Sequence, residues 1–213
     1  MTVRSASRST YDDSVFVNCP FDAEYEPLFH AIVFAVHDCG YVARCALETD
    51  DSGDVRIEKI LAIVDQCKFG IHDISRTELN AHNLPRFNMP LELGLFLGAR
   101  RFGGGMRKKI ALILDTERYR YQEFCSDISG QDIQAHRKDP TEAIRVVRNW
   151  LRSNNSTVKI PGGSTIAKRY HEFRSQLPRL KQETQLGDDL IFADYVSLLI
   201  GWLKENDWKP NSH

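Results

Sequence analysis

One carboxylate, Glu92, lies within the most apolar part of the sequence. The segment RFNMPLELGLFLGARR, residues 86–101, places leucine or phenylalanine on every side of a predicted helix around this acid, so we expect the helix to be central. If Pro90 is the first helical residue, Glu92 is the third, where a carboxylate satisfies free N–H groups and the helix dipole. If the helix begins beside a binding crevice, a partly desolvated carboxylate can instead stabilise a positive charge that develops on a substrate. Both roles are open at this point.

Further candidate residues follow two predicted strands. Asp73 and Ser75 end the strand-like run KFGIHDIS, while Asn18, Pro20 and Phe21 lie at the end of the run SVFVN or just past it. Aspartate and serine are also typical of ordinary turns, and a proline beside a phenylalanine is typical of a stiff loop with an apolar plug. In a binding site, the phenyl ring can stack on a base or a pyridine ring. We treat all five residues as candidate substrate contacts, with the aspartate as a candidate second acid.

Two neighbouring polar residues have different interpretations. His72 alternates with Asp73 along the strand and is expected to be a core histidine that faces the other side of the sheet. Asn88 lies four residues before Glu92, on the same helical face or just before the helix. We therefore add only the asparagine to the candidate substrate contacts.

Metal and cofactor signatures are missing from the sequence. It contains no GxSxG, HExxH or GxGxxG motif, and its five cysteines are scattered without a CxxC pair. Cysteines in this number and arrangement are typical of a reduced cytosolic protein. We therefore predict a cytoplasmic location, with neither a metal site nor a bound cofactor.

The overall composition argues against two classes of partner. The chain has 213 residues and a formal net charge of −1, so no global field attracts nucleic acid or an acidic membrane. No run approaches the roughly 20 apolar residues that a membrane span needs, and the start of the sequence lacks the apolar region of a secretory signal. We expect neither direct nucleic-acid binding nor membrane insertion.

The elements that position the candidate residues alternate between strand and helix patterns. Predicted strands cover residues 14–18, 41–47, 68–75 and 109–114, and residues with helical apolar spacing lie between them. Such alternation with short connections predicts a parallel sheet of four or five strands, covered by helices on both faces. Ligands of such sheets bind beyond the carboxyl ends of the strands, where the candidate residues are expected to lie.

The chain divides into four predicted segments. Residues 1–13 form a disordered polar tail, 14–152 the α/β domain, 153–163 a linker, and 164–208 a pair of C-terminal helices. We expect Pro178 to bend or end the first of these helices. Each helix has one apolar stripe, which must pack on the sheet domain, on the other helix or on another subunit.

Four stretches together resemble a known superfamily. The runs VFVNCPF, GYVAR, RIEKILAIVDQCKFGIHDIS and FNMPLELGLFLGARR are similar to the shared pattern of nucleoside 2-deoxyribosyltransferases and bacterial TIR-like domains. That signature is a strand that ends in a Pro-Phe loop, a strand that ends in Asp, and an Asn-x-x-x-Glu-Leu-Gly helix, here spanning residues 14–102. The resemblance implies a flavodoxin-like sheet and cleavage of an N-glycosidic bond at a ribose, with Glu92 as the catalytic acid group.

The chemistry of the leaving group favours one substrate class. Breaking a C1′–N bond builds positive charge on the ribose, which a carboxylate stabilises or attacks. The pyridinium of NAD leaves as neutral nicotinamide without a proton donor, whereas a neutral purine or pyrimidine needs a second acid. Asp73 is the only candidate for a second acid, and it is equally typical of a turn, so we favour a reaction for which one carboxylate suffices. We therefore expect a TIR-like NAD glycohydrolase or cyclase of bacterial immune signalling, an antiviral defence. NAD would be the substrate, with Asn18, Asp73, Ser75 and Asn88 orienting its ribose or phosphates.

Two other functions stay open. The domain can be a non-catalytic nucleotide sensor or assembly module that forms a homo-oligomer through the C-terminal helices or the α/β domain. It can also be a deoxyribosyltransferase or hydrolase of nucleosides or their monophosphates. In place of the serine-rich loop that usually precedes the superfamily's glutamate, this sequence has RTELNAHNLPRFNMP.

Overall fold

A computed structural model describes residues 10–48, 53, 55–79, 81–104, 108–155, 159–187 and 190–206. Five strands and six helices alternate through most of this part of the chain. In order they are β1 (Ser14–Asn18), α1 (Glu26–Asp38), β2 (Val42–Arg44), α2 (Arg56–Gln66), β3 (Phe69–Asp73), α3 (Asn88–Phe102), β4 (Ile110–Asp115), β5 (Gln134–Ala135), α4 (Pro140–Asn154), α5 (Gly163–Glu183) and α6 (Phe192–Glu205). Short 3-10 turns, Arg120–Glu123 and Ser126–Ile128, connect β4 to β5 in place of a longer helix.

The strands form one parallel sheet in the order β2-β1-β3-β4-β5. This is the flavodoxin-like order, in which the connections change direction between β1 and β3 and leave a crevice at the carboxyl ends of these two strands. Pairing of Asn18 with His72 and of Asp73 with Leu114 brings the ends of β1, β3 and β4 to one edge, which we call the carboxyl edge. The predicted flavodoxin-like α/β fold is confirmed.

Helices cover the two faces of the sheet through separate cores. Val15, Val17 and Ile71 point into the larger core, which α1 and α4 complete. On the opposite face, Phe16 packs with residues of α2 and with Phe96 of α3. This division follows from strand geometry, because successive side chains point to opposite faces.

The two C-terminal helices pack against the sheet domain and against each other. Their buried residues, among them Phe173 of α5 and Trp202 of α6, belong to the same core as α1 and α4. The Tyr170 hydroxyl donates a hydrogen bond to the Pro27 carbonyl, at 3.0 Å. The apolar stripes of α5 and α6 therefore pack on the sheet domain and on each other, which are two of the three predicted options. Helix α5 continues through Pro178 to Glu183, so this proline does not end the helix, which was one of its two predicted effects.

The start of the domain and the position of α3 differ from those predicted. Residues 1–9 of the predicted tail lie outside the described residues, but Tyr11–Asp13 forms a 3-10 turn that is bound to the domain. The main-chain N–H of Lys68 donates to the Tyr11 carbonyl, which explains why this segment is part of the fold. Helix α3 is not central, since Leu91 is 57% exposed and the helix packs on one face of the sheet only. Within the described ranges, none of the helices combines the length and apolar character that a membrane crossing requires.

Candidate functional site

Glu92 is the fifth residue of α3, one turn inside the helix. The helix begins at Asn88, two residues earlier than the position of Pro90 suggested, so the acid is too far along to cap the free N–H groups. Its side chain accepts no hydrogen bond from the described residues, although Glu92 is only 5% exposed. The capping interpretation is therefore wrong, and the carboxylate is buried without being used by its own helix.

Burial raises the pKa of Glu92 to about 7, and the positive charge of Arg56 opposes this rise. Arg56 is the first residue of α2. Both α2 and α3 lead into strands parallel to β1, so both helices run opposite to the strands and begin at the carboxyl edge. The exposed arginine forms no ion pair or hydrogen bond with any described residue. A carboxylate and a guanidinium thus lie at the same edge without binding each other.

Close packing at Gly70 of β3 sets the position of α3. A Cβ atom at Gly70 would lie 2.7 Å from the Phe96 ring and from Nε2 of His72. Glycine therefore lets Phe96, one turn after Glu92, approach the sheet. The rings of His72 and Phe96 are 4.8 Å apart, and His72 is buried, which confirms its prediction as a core histidine. Burial lowers the pKa of His72 to about 3, so its ring is neutral.

Asn18 joins the end of β1 to the start of α3. Its side-chain amide donates to the Met89 carbonyl at 2.9 Å and contacts Nδ1 of His72 at 3.1 Å. Since the amide nitrogen can only donate, the imidazole carries its proton on Nε2. Asn18 is 1% exposed, so the structure places it as a support for the helix that carries Glu92.

Asp73 is the centre of a buried hydrogen-bond network. It accepts from the Tyr25 hydroxyl at 2.5 Å and from the main-chain N–H of Ser75 at 2.8 Å, while Nε2 of His136 lies 3.0 Å away. Burial alone would raise the pKa of Asp73, but His136, Ser75 and Tyr25 together outweigh burial and lower it. Asp73 therefore stays ionised at neutral pH and has no proton to donate.

Sequence reasoning missed two members of this network, Tyr25 and His136. The main-chain N–H of Lys138 donates to Nδ1 of His136, so Nε2 carries the proton that faces Asp73. Because Nδ1 accepts a hydrogen bond and Nε2 lies against Asp73, we assign this histidine to the support of Asp73. Two residues with left-handed backbone, Arg137 at φ 53° and Lys138 at φ 56°, form the turn that aims it. No local pattern identifies such a long-range pair.

Two cavities lie at the carboxyl edge. Among the candidate residues, Ser75 lines one and Phe21 lines the other, whereas Glu92 lines neither of the two. Ser75 and His136 line one of about 150 Å³, next to the Asp73 network. Phe21 lines the other, of about 240 Å³, which the start of α1 and the start of α6 complete. Pro20 is buried and lines neither cavity, whereas Asn88 is exposed at the start of α3. The structure therefore does not gather all the candidates around one hollow.

The second cavity combines aromatic rings with acids. The rings of Phe21 and Phe29 meet edge to face at 5.2 Å, and Phe192 of α6 lies 5.8 Å from Phe29. The two carboxylates in its lining are Asp22 and Glu26. Rings and carboxylates together suit a flat ligand with positive charge.

Cys19, which sequence reasoning also missed, connects the two acids electrostatically. Burial raises the pKa of its thiol well above the ordinary value, and the negative charges of Asp73 and Glu92 raise it further. The residue therefore remains a neutral thiol and a poor nucleophile. Cys19 directly follows β1, so both acids lie close enough to the carboxyl end of this strand to affect its thiol.

Comparison with known proteins adds no family to this description. No protein-family model matches the chain, and no curated protein matches it significantly in sequence.

Proposed function

We propose that this protein cleaves the N-glycosidic bond of a nucleotide, most directly as an NAD glycohydrolase or cyclase of TIR-like type in bacterial immune signalling. The proposal depends on one observation: Glu92 is buried at the carboxyl edge, accepts no hydrogen bond from the described residues and has a pKa raised to about 7. A carboxyl group without a structural partner, near the β1–β3 crevice of a flavodoxin-like sheet, is suited to a ligand.

The reaction needs one negative charge near the ribose. As the C1′–N bond breaks, its electron pair moves to the pyridinium nitrogen, nicotinamide leaves neutral, and the ribose carries the positive charge. Ionised Glu92 would stabilise that charge until water, or a nucleophile of the same nucleotide, adds to C1′. A cationic substrate next to Glu92 would itself lower the pKa of this carboxyl and favour the ionised form.

The state of Asp73 supports a pyridinium leaving group over a neutral base. A neutral purine or pyrimidine leaves well only when a second group protonates it. Asp73 was the candidate for that group, but its pKa is lowered and its oxygens are bonded within the protein. NAD is therefore preferred to a deoxynucleoside as substrate.

The remaining candidate residues would act on the rest of the nucleotide. Phe21 would stack on a ring, and Ser75 and Asn88 would contact ribose or phosphate. Asn18 and Asp73 would hold the edge in shape, since their hydrogen bonds are made within the protein.

Nicotinamide release from NAD tests the proposal. We expect the wild-type protein to release nicotinamide and Glu92→Gln to release it about 100 to 1000 times more slowly, the loss typical of removing one charge-stabilising group. Glu117→Gln, a matched change at an exposed acid, should leave the rate unchanged. Chromatography measures the rate of nicotinamide release. Several protein concentrations are used so that activity is detected even if the enzyme acts only when assembled. Equal rates for wild type and Glu92→Gln would remove Glu92 from the mechanism.

The position of α6 supports a second candidate, a nucleotide sensor that assembles into a homo-oligomer. Phe192 of α6 and Phe21 of the β1–α1 loop line the same cavity, so a ligand there would contact the C-terminal helices directly. Calorimetry and light scattering with NAD separate the two functions. A sensor would bind NAD and change mass equally well in the wild type and in Glu92→Gln, with no nicotinamide released by either.

A further inference from the structure

The outer edge of β4 is paired over only part of its length. β3 pairs with β4 from Ile110 to Leu114, but β5 pairs only with Leu114 and Asp115. Among the described residues, no strand lies beside residues 110–113 on the β5 side. The open stretch lies at the end of β4 away from the carboxyl edge.

Main-chain groups on this stretch point toward the open side. The N–H of Ile110 donates to the Lys68 carbonyl, and the carbonyl of Leu114 accepts from Ile74, so both face β3. Residues alternate along a strand, so Ala111 and Ile113 direct their main-chain groups the other way. An edge of this kind is a template for a further strand.

A groove of about 560 Å³ follows the open edge. Val146 and Trp150 of α4 line one wall, and Arg100 of α3 lines the other. The groove occupies the place that a longer β5 would fill, because the connection from β4 returns to the sheet only at Gln134. Ile110, at the start of the open stretch, is partly exposed, whereas Leu112 is buried.

The two walls differ in chemistry. Trp150 is half-buried and, with Val146, gives the α4 wall an apolar surface. Arg100 is exposed and has no ion pair or hydrogen bond with any described residue. Arg145 also lines the groove but is paired with Glu142, and Asp132 is the one acid in the lining. On the α3 wall, Arg100 therefore leaves a positive charge for a partner, whereas Asp132 leaves a negative charge elsewhere in the lining.

We propose that this groove binds an extended peptide segment of a partner protein as an added strand next to β4. The peptide would have apolar residues alternating with acidic ones, because successive side chains of a strand face opposite walls. Apolar side chains would contact Trp150 and Val146, and acidic side chains would pair with Arg100. Four residues, roughly 13 Å of strand, cover the open edge.

A labelled hexapeptide, Val-Glu-Val-Glu-Val-Glu, is the probe. We expect saturable binding by fluorescence anisotropy, and slower hydrogen exchange at the amides of Ala111 and Ile113 when the peptide is bound. The same peptide with N-methyl groups on alternate amides cannot complete the strand pairing and should bind at least tenfold more weakly. Equal binding of both peptides, or no saturation with either, would overturn the proposal.

Charge exchange at Arg100 provides the matched variant. Arg100→Glu should bind the Val-Glu peptide at least tenfold more weakly than the wild type does. It should bind a Val-Lys peptide of the same length more tightly than the wild type does. Arg101→Glu, at the next and equally exposed residue outside the groove, should change neither affinity. A mass increase with protein concentration that Arg100→Glu abolishes would assign the groove to a second copy of the chain and contradict the proposal. Glu92→Gln should bind the peptide like the wild type, so this result is independent of the glycosidase proposal.

Discussion

Glu92 and Asp73 are buried acids at the same edge of one sheet, yet their surroundings affect them in opposite ways. Asp73 accepts hydrogen bonds from Tyr25 and Ser75 and contacts His136, and its pKa is lowered. Glu92 has no such partners among the described residues, and burial raises its pKa to about 7. Because both acids are buried, the difference between their pKa values follows from their partners. This difference supports the proposal that Glu92 acts on a ligand while Asp73 stabilises the fold.

The largest expected effect comes from exchanging each acid for its amide. Asp73→Asn should lower the free energy of unfolding by about 3 kcal/mol, because buried donors lose a charged acceptor. Glu92→Gln should leave stability unchanged or raise it, since it removes an unpaired buried carboxyl. Urea unfolding of the two variants measures both values. A similar decrease in the free energy of unfolding of both variants would show that the two acids are structurally equivalent, which contradicts the difference described above.

The pH dependence of NAD cleavage tests which protonation state of Glu92 is active. If the ionised form of Glu92 is the active one, kcat/KM should fall about tenfold per pH unit below 7 and level off above it. Between pH 8 and pH 5 this is a loss of about 100-fold. The residual activity of Glu92→Gln should lack this dependence. A wild-type rate that instead rises toward acid pH would make Glu92 a proton donor and reverse the preference for a pyridinium substrate.

Gly70→Ala tests how the sheet positions the Glu92 helix. The added methyl group would lie 2.7 Å from the Phe96 ring, so α3 must shift or Phe96 must repack. We expect a loss of about 1–3 kcal/mol in stability, together with lower NAD turnover. Gly94→Ala, on the open side of the same helix, meets no atom within 4 Å and should have neither effect. Unchanged NAD turnover in Gly70→Ala would mean that the activity does not depend on how closely α3 holds Glu92 to the sheet.

The smallest expected effect is on the pH dependence of the free energy of unfolding, to which the two acids contribute with opposite signs. The folded-state pKa of Glu92 lies above its ordinary value of 4.5, so its contribution to stability is full below pH 4.5 and is lost as pH rises to about 7. Asp73 has a folded-state pKa below 3.8, so its contribution is full above pH 3.8 and is lost as the solution becomes more acidic. Unfolding of the wild type and the two amide variants between pH 3 and 8 should reveal opposite trends, of about 1 kcal/mol for Glu92 after solvent screening. Parallel trends would contradict the assignment.

Local patterns predicted the framework of this fold but not the partners across it. Apolar runs predicted four of the five strands. Asp139, which directly precedes Pro140 in the sequence, caps α4 and accepts from the Thr141 N–H at 2.9 Å. β5 was missed because its two residues, Gln134 and Ala135, have no apolar run and are paired only through β4.

The candidate site was predicted only as far as strand ends and one helix allow. Asp73 and Glu92 were found at the correct edge, because their positions follow from the order of the elements. The bonding that distinguishes them depends on Tyr25 and His136, which are 48 and 63 residues away from Asp73 along the chain. Hydrogen bonds over such separations leave no periodic trace in a sequence.

The titration of the Glu92 carboxyl group tests the central claim most directly. Carbon-13 NMR of labelled glutamate, assigned by comparison with Glu92→Gln, would follow this group with and without carbocyclic NAD, an analogue that cannot be cleaved. We predict a pKa near 7 in the free protein and a clear downward shift when the pyridinium ring of the analogue is bound. A pKa near the ordinary value of 4.5 that the analogue leaves unchanged would contradict the claim that Glu92 is held free for a cationic nucleotide.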